Sequence, residues 1–161
     1  MSLRQRVSSD HELARLLQIG IVLEEVNEAR ARRHRDSIGE TDETLSTLLA
    51  EASEESAEHR QRLETLLEEL EATPIPPDEI DALVGDHYAA SRPEDFDDVL
   101  YDQLCSEESA YKFYDDLIDA IEDSETVFSA DRERILERLR SIREQEERGV
   151  EAVLELMESE S

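Results

Sequence analysis

Along four long stretches of this chain, apolar residues recur at three- and four-residue spacing, which gathers them on one face of a helix. The first stretch covers about 10–37, with Ser9 or Asp10 as N-cap and Gly39 as a stop. The second covers about 42–71, with the stripe Leu45, Leu48, Leu49, Ala52, Glu55, Ser56, His59, Leu63, Leu66 and Leu70. Three prolines at 74, 76 and 77 end it, because proline removes amide donors and fixes its own torsion. A crossover of about 73–92 follows, with room for a short helix near 80–84, before Ser91 and Pro93 open the third stretch over about 93–122. Its stripe is Phe96, Val99, Leu100, Leu104, Glu107, Ala110, Tyr111, Tyr114, Leu117, Ile118 and Ile121. The fourth, about 130–157, starts near Ser129 and carries Ile135, Leu139, Ile142, Glu146, Gly149, Val150, Val153 and Leu156. At about 1.5 Å per residue each helix is roughly 40 Å long, which suits an all-α, antiparallel four-helix bundle. Short connections make two helical hairpins, and the crossover joins them in the direction order up, down, down, up.

The stripes are interrupted where an apolar residue belongs. Glu24, Glu55 with His59, Glu107 and Glu146 bring carboxylate or imidazole into the expected core, which is costly unless the groups are paired, protonated or bound to a cation. If the first turn centres near residue 39 or 40, Glu24 lies opposite Glu55. If the last centres near 126, Glu107 lies opposite Glu146, so both pairs can share one height. Glu55 precedes His59 by four residues, so both can face one cation, and Glu28, one turn after Glu24, is an additional candidate. Carboxylates with imidazole suit iron or manganese, whereas no thiolate set points to structural zinc. Each position also has an ordinary reading: a solvated surface glutamate, or a core histidine satisfied by its neighbours.

The two hairpins repeat one another. A shift of 83 residues pairs Leu13 with Phe96, Leu17 with Leu100, Ile21 with Leu104 and Glu24 with Glu107, and a shift of 90 pairs Leu45 with Ile135, His59 with Gly149 and Leu63 with Val153.

Composition narrows the setting. The 161 residues fit one domain. Forty-four acidic against 17 basic residues give a net charge of −27, with Lys112 the only lysine, and such a surface repels nucleic acid and anionic membranes. Periodic leucines argue against disorder. The composition fits the cytoplasm of an extreme halophile, where molar salt shortens the Debye length to about 3 Å. Cys105 is the single cysteine, which leaves no disulfide or Cys-x-x-Cys pair, and neither an apolar leader nor a membrane-length run is present, so a soluble cytoplasmic protein is expected. Arg30, Arg32, Arg33, His34 and Arg35 form the one basic cluster, read as a helix C-terminus complementing its dipole. Tyr111 and Tyr114 read as packing, and His11 and His87 are given no role.

Glu107-Glu108-Ser109-Ala110-Tyr111-Lys112-Phe113-Tyr114-Asp115-Asp116-Leu117 resembles the Glu-x-x-Ala-x-x-Phe-Tyr-x-x-Leu helix of rubrerythrins and related ferritin-like proteins. Glu146-Glu147-Arg148-Gly149 is similar to their Glu-x-x-His helix with glycine in the histidine position. Ser56-Ala57-Glu58-His59 is similar to the other, with serine in the glutamate position. The resemblance covers about 10–157. It implies a ferritin-like bundle, a di-iron or di-manganese carboxylate centre and reaction with peroxide, dioxygen or ferrous iron, as in a ferroxidase or peroxidase. Carried over, the metal ligands are Glu24, His59, Glu107 and Glu146, with Glu55 replacing the carboxylate absent at Ser56. No cysteine-rich module like rubredoxin is present, so an external electron donor is expected, and a homodimer through a helix face. The alternative is a ferritin-like bundle that has lost catalysis and serves as a structural or protein-interaction module; iron storage or delivery is a third reading.

Overall fold

The computed structural model describes residues 7–38, 42–74, 76, 78–79 and 99–160. Among them are four helices and no strand: α1 Asp10–Ile38, α2 Glu43–Glu69, α3 Val99–Glu122 and α4 Arg132–Glu160. The expected short helix near 80–84 and the Pro93 start of the third helix lie outside the described residues, as does most of the crossover.

The helix ends follow from capping chemistry. Ser9 caps α1, its Oγ accepting the Glu12 amide at 3.1 Å, while the Glu12 carboxylate reaches back to the Ser8 amide at 2.9 Å. Asp42 caps α2 by accepting from the Leu45 amide at 3.0 Å. That helix stops at Glu69, two residues short of the expected 71, because Leu70 turns extended and the Glu71 amide donates to Ser129 Oγ at 2.8 Å. Ser129 is thus engaged elsewhere, and Asp131 caps α4 instead, its Oδ1 accepting the Glu133 amide at 3.0 Å. The Ser129 amide donates to Asp10 at 3.1 Å, so one residue ties together the start of α1, the end of α2 and the α3–α4 connection.

α1 packs chiefly on α2 and α3 on α4, with smaller contacts between α1 and α3 and between α2 and α4. Along the first pair, Gly20 faces Leu63, Glu24 meets His59 and Arg35 meets Ser46, so partner numbers fall along α2 as they rise along α1. The second pair has the same order, with Glu107 at Gly149, Asp115 at Arg143 and Glu122 at Arg140. Gly20 sits where three helices converge: a Cβ there would lie 3.0 Å from both Leu63 Cδ1 and Phe113 Cε2.

Two apolar clusters fill the interior. The larger gathers Leu13, Leu17, Leu63, Leu66, Phe113, Leu117, Ile121, Ile135, Leu139 and Ile142 with their neighbours. The smaller is built on Leu45, Leu49, Leu100 and Val153. In all four helices the segment between them carries buried polar groups: Glu24 to His34 in α1, Ser53 to His59 in α2, Asp102 to Glu107 in α3 and Glu146 in α4. No helix among the described residues is long and apolar enough to cross a membrane.

Candidate metal centre

The polar layer is where the sequence interrupts its stripes. Glu24 is fully buried, His59 is 1% exposed, and Glu146 and Glu107 are also buried. One ligand-capable atom from each of Glu24, His59 and Glu146 lies within 4.8 Å of the other two, although the residues come from three different helices. His59 Nδ1 is 3.0 Å from Glu24 Oε2 and 3.0 Å from Glu146 Oε1. The opposite ring nitrogen, Nε2, donates to Gln145 Oε1 at 2.7 Å, and Arg62 Nη1 donates to the same oxygen at 3.3 Å. An amide oxygen only accepts, so it fixes a proton on Nε2 and leaves Nδ1 to face the two carboxylates.

The charges in this layer do not balance without help. Burial works against the imidazolium, but the hydrogen bonds and charges of Glu146 and Glu24 outweigh it and push His59 up to about 11. Burial, reinforced by the charge of Glu24, holds the Glu146 carboxyl well above the usual range, and burial also raises Glu107. Glu107 and Glu146 hydrogen-bond one another, which two carboxyl groups can do only by sharing a proton. The Tyr114 hydroxyl donates to Glu24 Oε2 at 2.6 Å, and burial together with that carboxylate keeps the phenol protonated. Glu24 Oε1, buried, has no hydrogen-bond partner among the described residues. Around His59 one imidazolium therefore faces three buried carboxyl groups, and Glu24 Oε1 is left over, as Asp102 Oδ1 is elsewhere in the layer.

This donor set fits a divalent transition ion. Carboxylate and imidazole are the ligands that iron, manganese and zinc accept, and two ligand atoms at right angles about an ion with bonds of about 2.1 Å sit about 3.0 Å apart. The spacing around His59 Nδ1 equals that edge. It is also a normal hydrogen-bond length, so the excess of carboxyl groups around His59 discriminates, not the distance.

The remaining expected ligands fall elsewhere. Glu55 is half-buried and lines a cleft of ≈ 200 Å³ with Glu51, Glu107, Arg148 and Gly149; burial and then the charge of Glu107 raise its carboxyl. Glu28 is buried but neutralised by Arg32 at 2.7 Å and Arg60 at 2.8 Å. Ser56 and Gly149 stand where the resemblance wants a carboxylate and an imidazole. Ser56 is buried, and the space beside Gly149 holds the Glu107 carboxylate, whose Oε2 would lie 2.4 Å from a Cβ built on residue 149. Gln103 Nε2 donates to Glu107 Oε1 at 2.9 Å and holds it there.

Gln145, Tyr114 and Gln103 surround the site and were not read as site residues from sequence. Gln103 carries a legible cue, since it precedes Glu107 by four residues on the same helical face. A second buried constellation also escaped. His34 Nε2 lies 2.5 Å from Asp102 Oδ2, and Arg30 Nη1 lies 3.9 Å from Asp102 Oδ1, so two members of the basic cluster face inward. No protein-family model matches the chain, and neither a curated protein nor a solved structure matches it.

Proposed function

We propose that the chain is an antiparallel, ferritin-like bundle similar to rubrerythrins, whose polar layer binds iron or manganese for chemistry with peroxide, dioxygen or ferrous iron. One observation carries the reading: Glu24, His59 and Glu146 converge from three helices with a buried carboxylate oxygen left unpartnered. Glu24, His59 and Glu146 would hold the ion, with Glu107 and Glu55 the nearest further carboxylates. A bound redox ion supplies electron transfer to an oxidant that amino-acid side chains lack. The chain's own residues do the rest: Gln145 orients the His59 ring, Tyr114 fixes Glu24, and the apolar cluster on one side excludes water. An external electron donor completes the cycle.

Protein purified under reducing conditions at high salt, then given Fe(II) or Mn(II) anaerobically and desalted, should retain stoichiometric metal by elemental analysis. Failure of both ions to remain bound refutes the reading. The competing reading, a bundle without catalysis, draws support from the same His59, because an imidazolium between two carboxylates satisfies itself in part without metal. It predicts a protein with no retained metal and unchanged thermal stability on Fe(II) addition.

A further inference from the structure

Glu107 is the side chain whose position decides how many ions the layer can take. It approaches from α3 and turns into the space left by Gly149, where its Oε2 would collide with any Cβ at that residue. Gln103, one turn earlier on the same helix, donates to its Oε1 at 2.9 Å, and its carboxyl group hydrogen-bonds Glu146. The group therefore has protein partners on α3 and on α4. It is also absent from the three-residue group whose ligand atoms converge. On the other side, Glu107 lines the cleft of ≈ 200 Å³ while Glu24, His59 and Glu146 do not, so it stands between that cleft and the converging set. A second ion would need ligands around Glu107. Among the described residues no imidazole lies there, since residue 149 is glycine, and Glu55 is only half-buried beside Glu51 and Arg148 in the cleft wall.

We infer that the centre takes one divalent cation, held by Glu24, His59 and Glu146, and that Glu107 is a positioning residue that orients Glu146 from the space left by Gly149 instead of ligating a second ion. The inference rests on the metal reading above and refines it from two ions to one. Its logic is that of a metal's outer shell: a group bonded to a ligand fixes that ligand's orientation, and its loss costs about 10- to 100-fold in affinity.

Anaerobic titration with Co(II), followed through its visible absorption bands, reads both number and affinity. The full chain is expected to bind one Co(II). In Glu107→Gln the amide can still accept from Gln103 and donate to Glu146, so one Co(II) per chain with affinity within about threefold is expected. Glu107→Leu removes the support and should keep one Co(II) while weakening it about tenfold. Two Co(II) per unmodified chain, falling to one in Glu107→Gln, overturns the inference and leaves the metal reading intact. Unchanged affinity in Glu107→Leu overturns the positioning role. No Co(II) bound at all overturns the metal reading itself, and the inference with it. X-ray absorption at the cobalt edge adds a separate readout: a metal–metal scattering shell would contradict the single ion.

Discussion

His34 and His59 are both buried in the middle of the bundle and both touch carboxylates, yet their surroundings differ in charge. His34 meets one carboxylate, Asp102, which also has Arg30 beside it. His59 meets two, Glu24 and Glu146, with Glu107 a third buried carboxyl group beside the second. The first constellation carries at least as much positive as negative charge capacity, which is how a buried ion pair ties helices together. The second is carboxylate-rich. Burial of polar groups alone does not separate the two constellations; the surplus of carboxyl groups over cations around His59 does.

Removing each histidine should widen that contrast most. His59→Ala leaves clustered carboxyl groups without the imidazolium between them, and we expect the metal-free protein to lose about 4 kcal/mol in urea unfolding and all measurable Co(II) binding. His34→Ala leaves Arg30 beside Asp102 and should cost about 2 kcal/mol with Co(II) binding unchanged. Removing the acids should then give opposite signs. Asp102→Asn strips the anion from His34 and Arg30 and should destabilise by about 3 kcal/mol. Glu24→Gln relieves the carboxylate excess, so metal-free stability should hold or rise by about 1 kcal/mol, while Co(II) affinity falls at least about 100-fold. A large stability loss in Glu24→Gln would make the two constellations alike and remove the contrast.

Two smaller effects sharpen the picture within the layer. Tyr114→Phe deletes a hydrogen bond to a buried carboxylate and should cost about 1.5 kcal/mol by urea unfolding, with Co(II) affinity weakened severalfold. Gly149→Ala gains helix propensity of about 1 kcal/mol but pushes the Glu107 carboxylate out of its place, at about 1–3 kcal/mol. A net loss of about 1 kcal/mol is expected in thermal unfolding. A net gain would mean that Glu107 moves freely.

Much of this arrangement was legible because helical periodicity converts sequence position into direction. Glu24, His59, Glu107 and Glu146 were marked as core interruptions, and all four are buried in one layer. The same reasoning, carried further along α1, reaches His34: the buried face runs through Glu24, Glu28 and Ala31 to that residue. It was read instead with its basic neighbours, since charge clustering at a helix end has a ready explanation in the dipole. Gln145 was hidden for a different reason. It neighbours Glu146 in sequence, a rotation of about 100° round the helix, so it belongs to no stripe and meets His59 only because α2 passes on that side. The end of α2 and the start of α4 each fall two residues from the expected place for a third reason, Ser129, whose hydroxyl serves another helix's backbone.

The unequal apolar clusters carry a consequence for motion. Regions that bury little apolar surface open locally at low free-energy cost, while a large core opens only with global unfolding. The Leu45, Leu49, Leu100 and Val153 end should therefore exchange its amide hydrogens well before the Leu17, Leu63 and Phe113 end, and the polar layer lies on the frontier between them. Traffic into the layer then needs no permanent channel. For an ion held as proposed, the rate of entry would follow the breathing of the smaller end, so substitutions there would alter how fast it comes and goes without altering how tightly it is held.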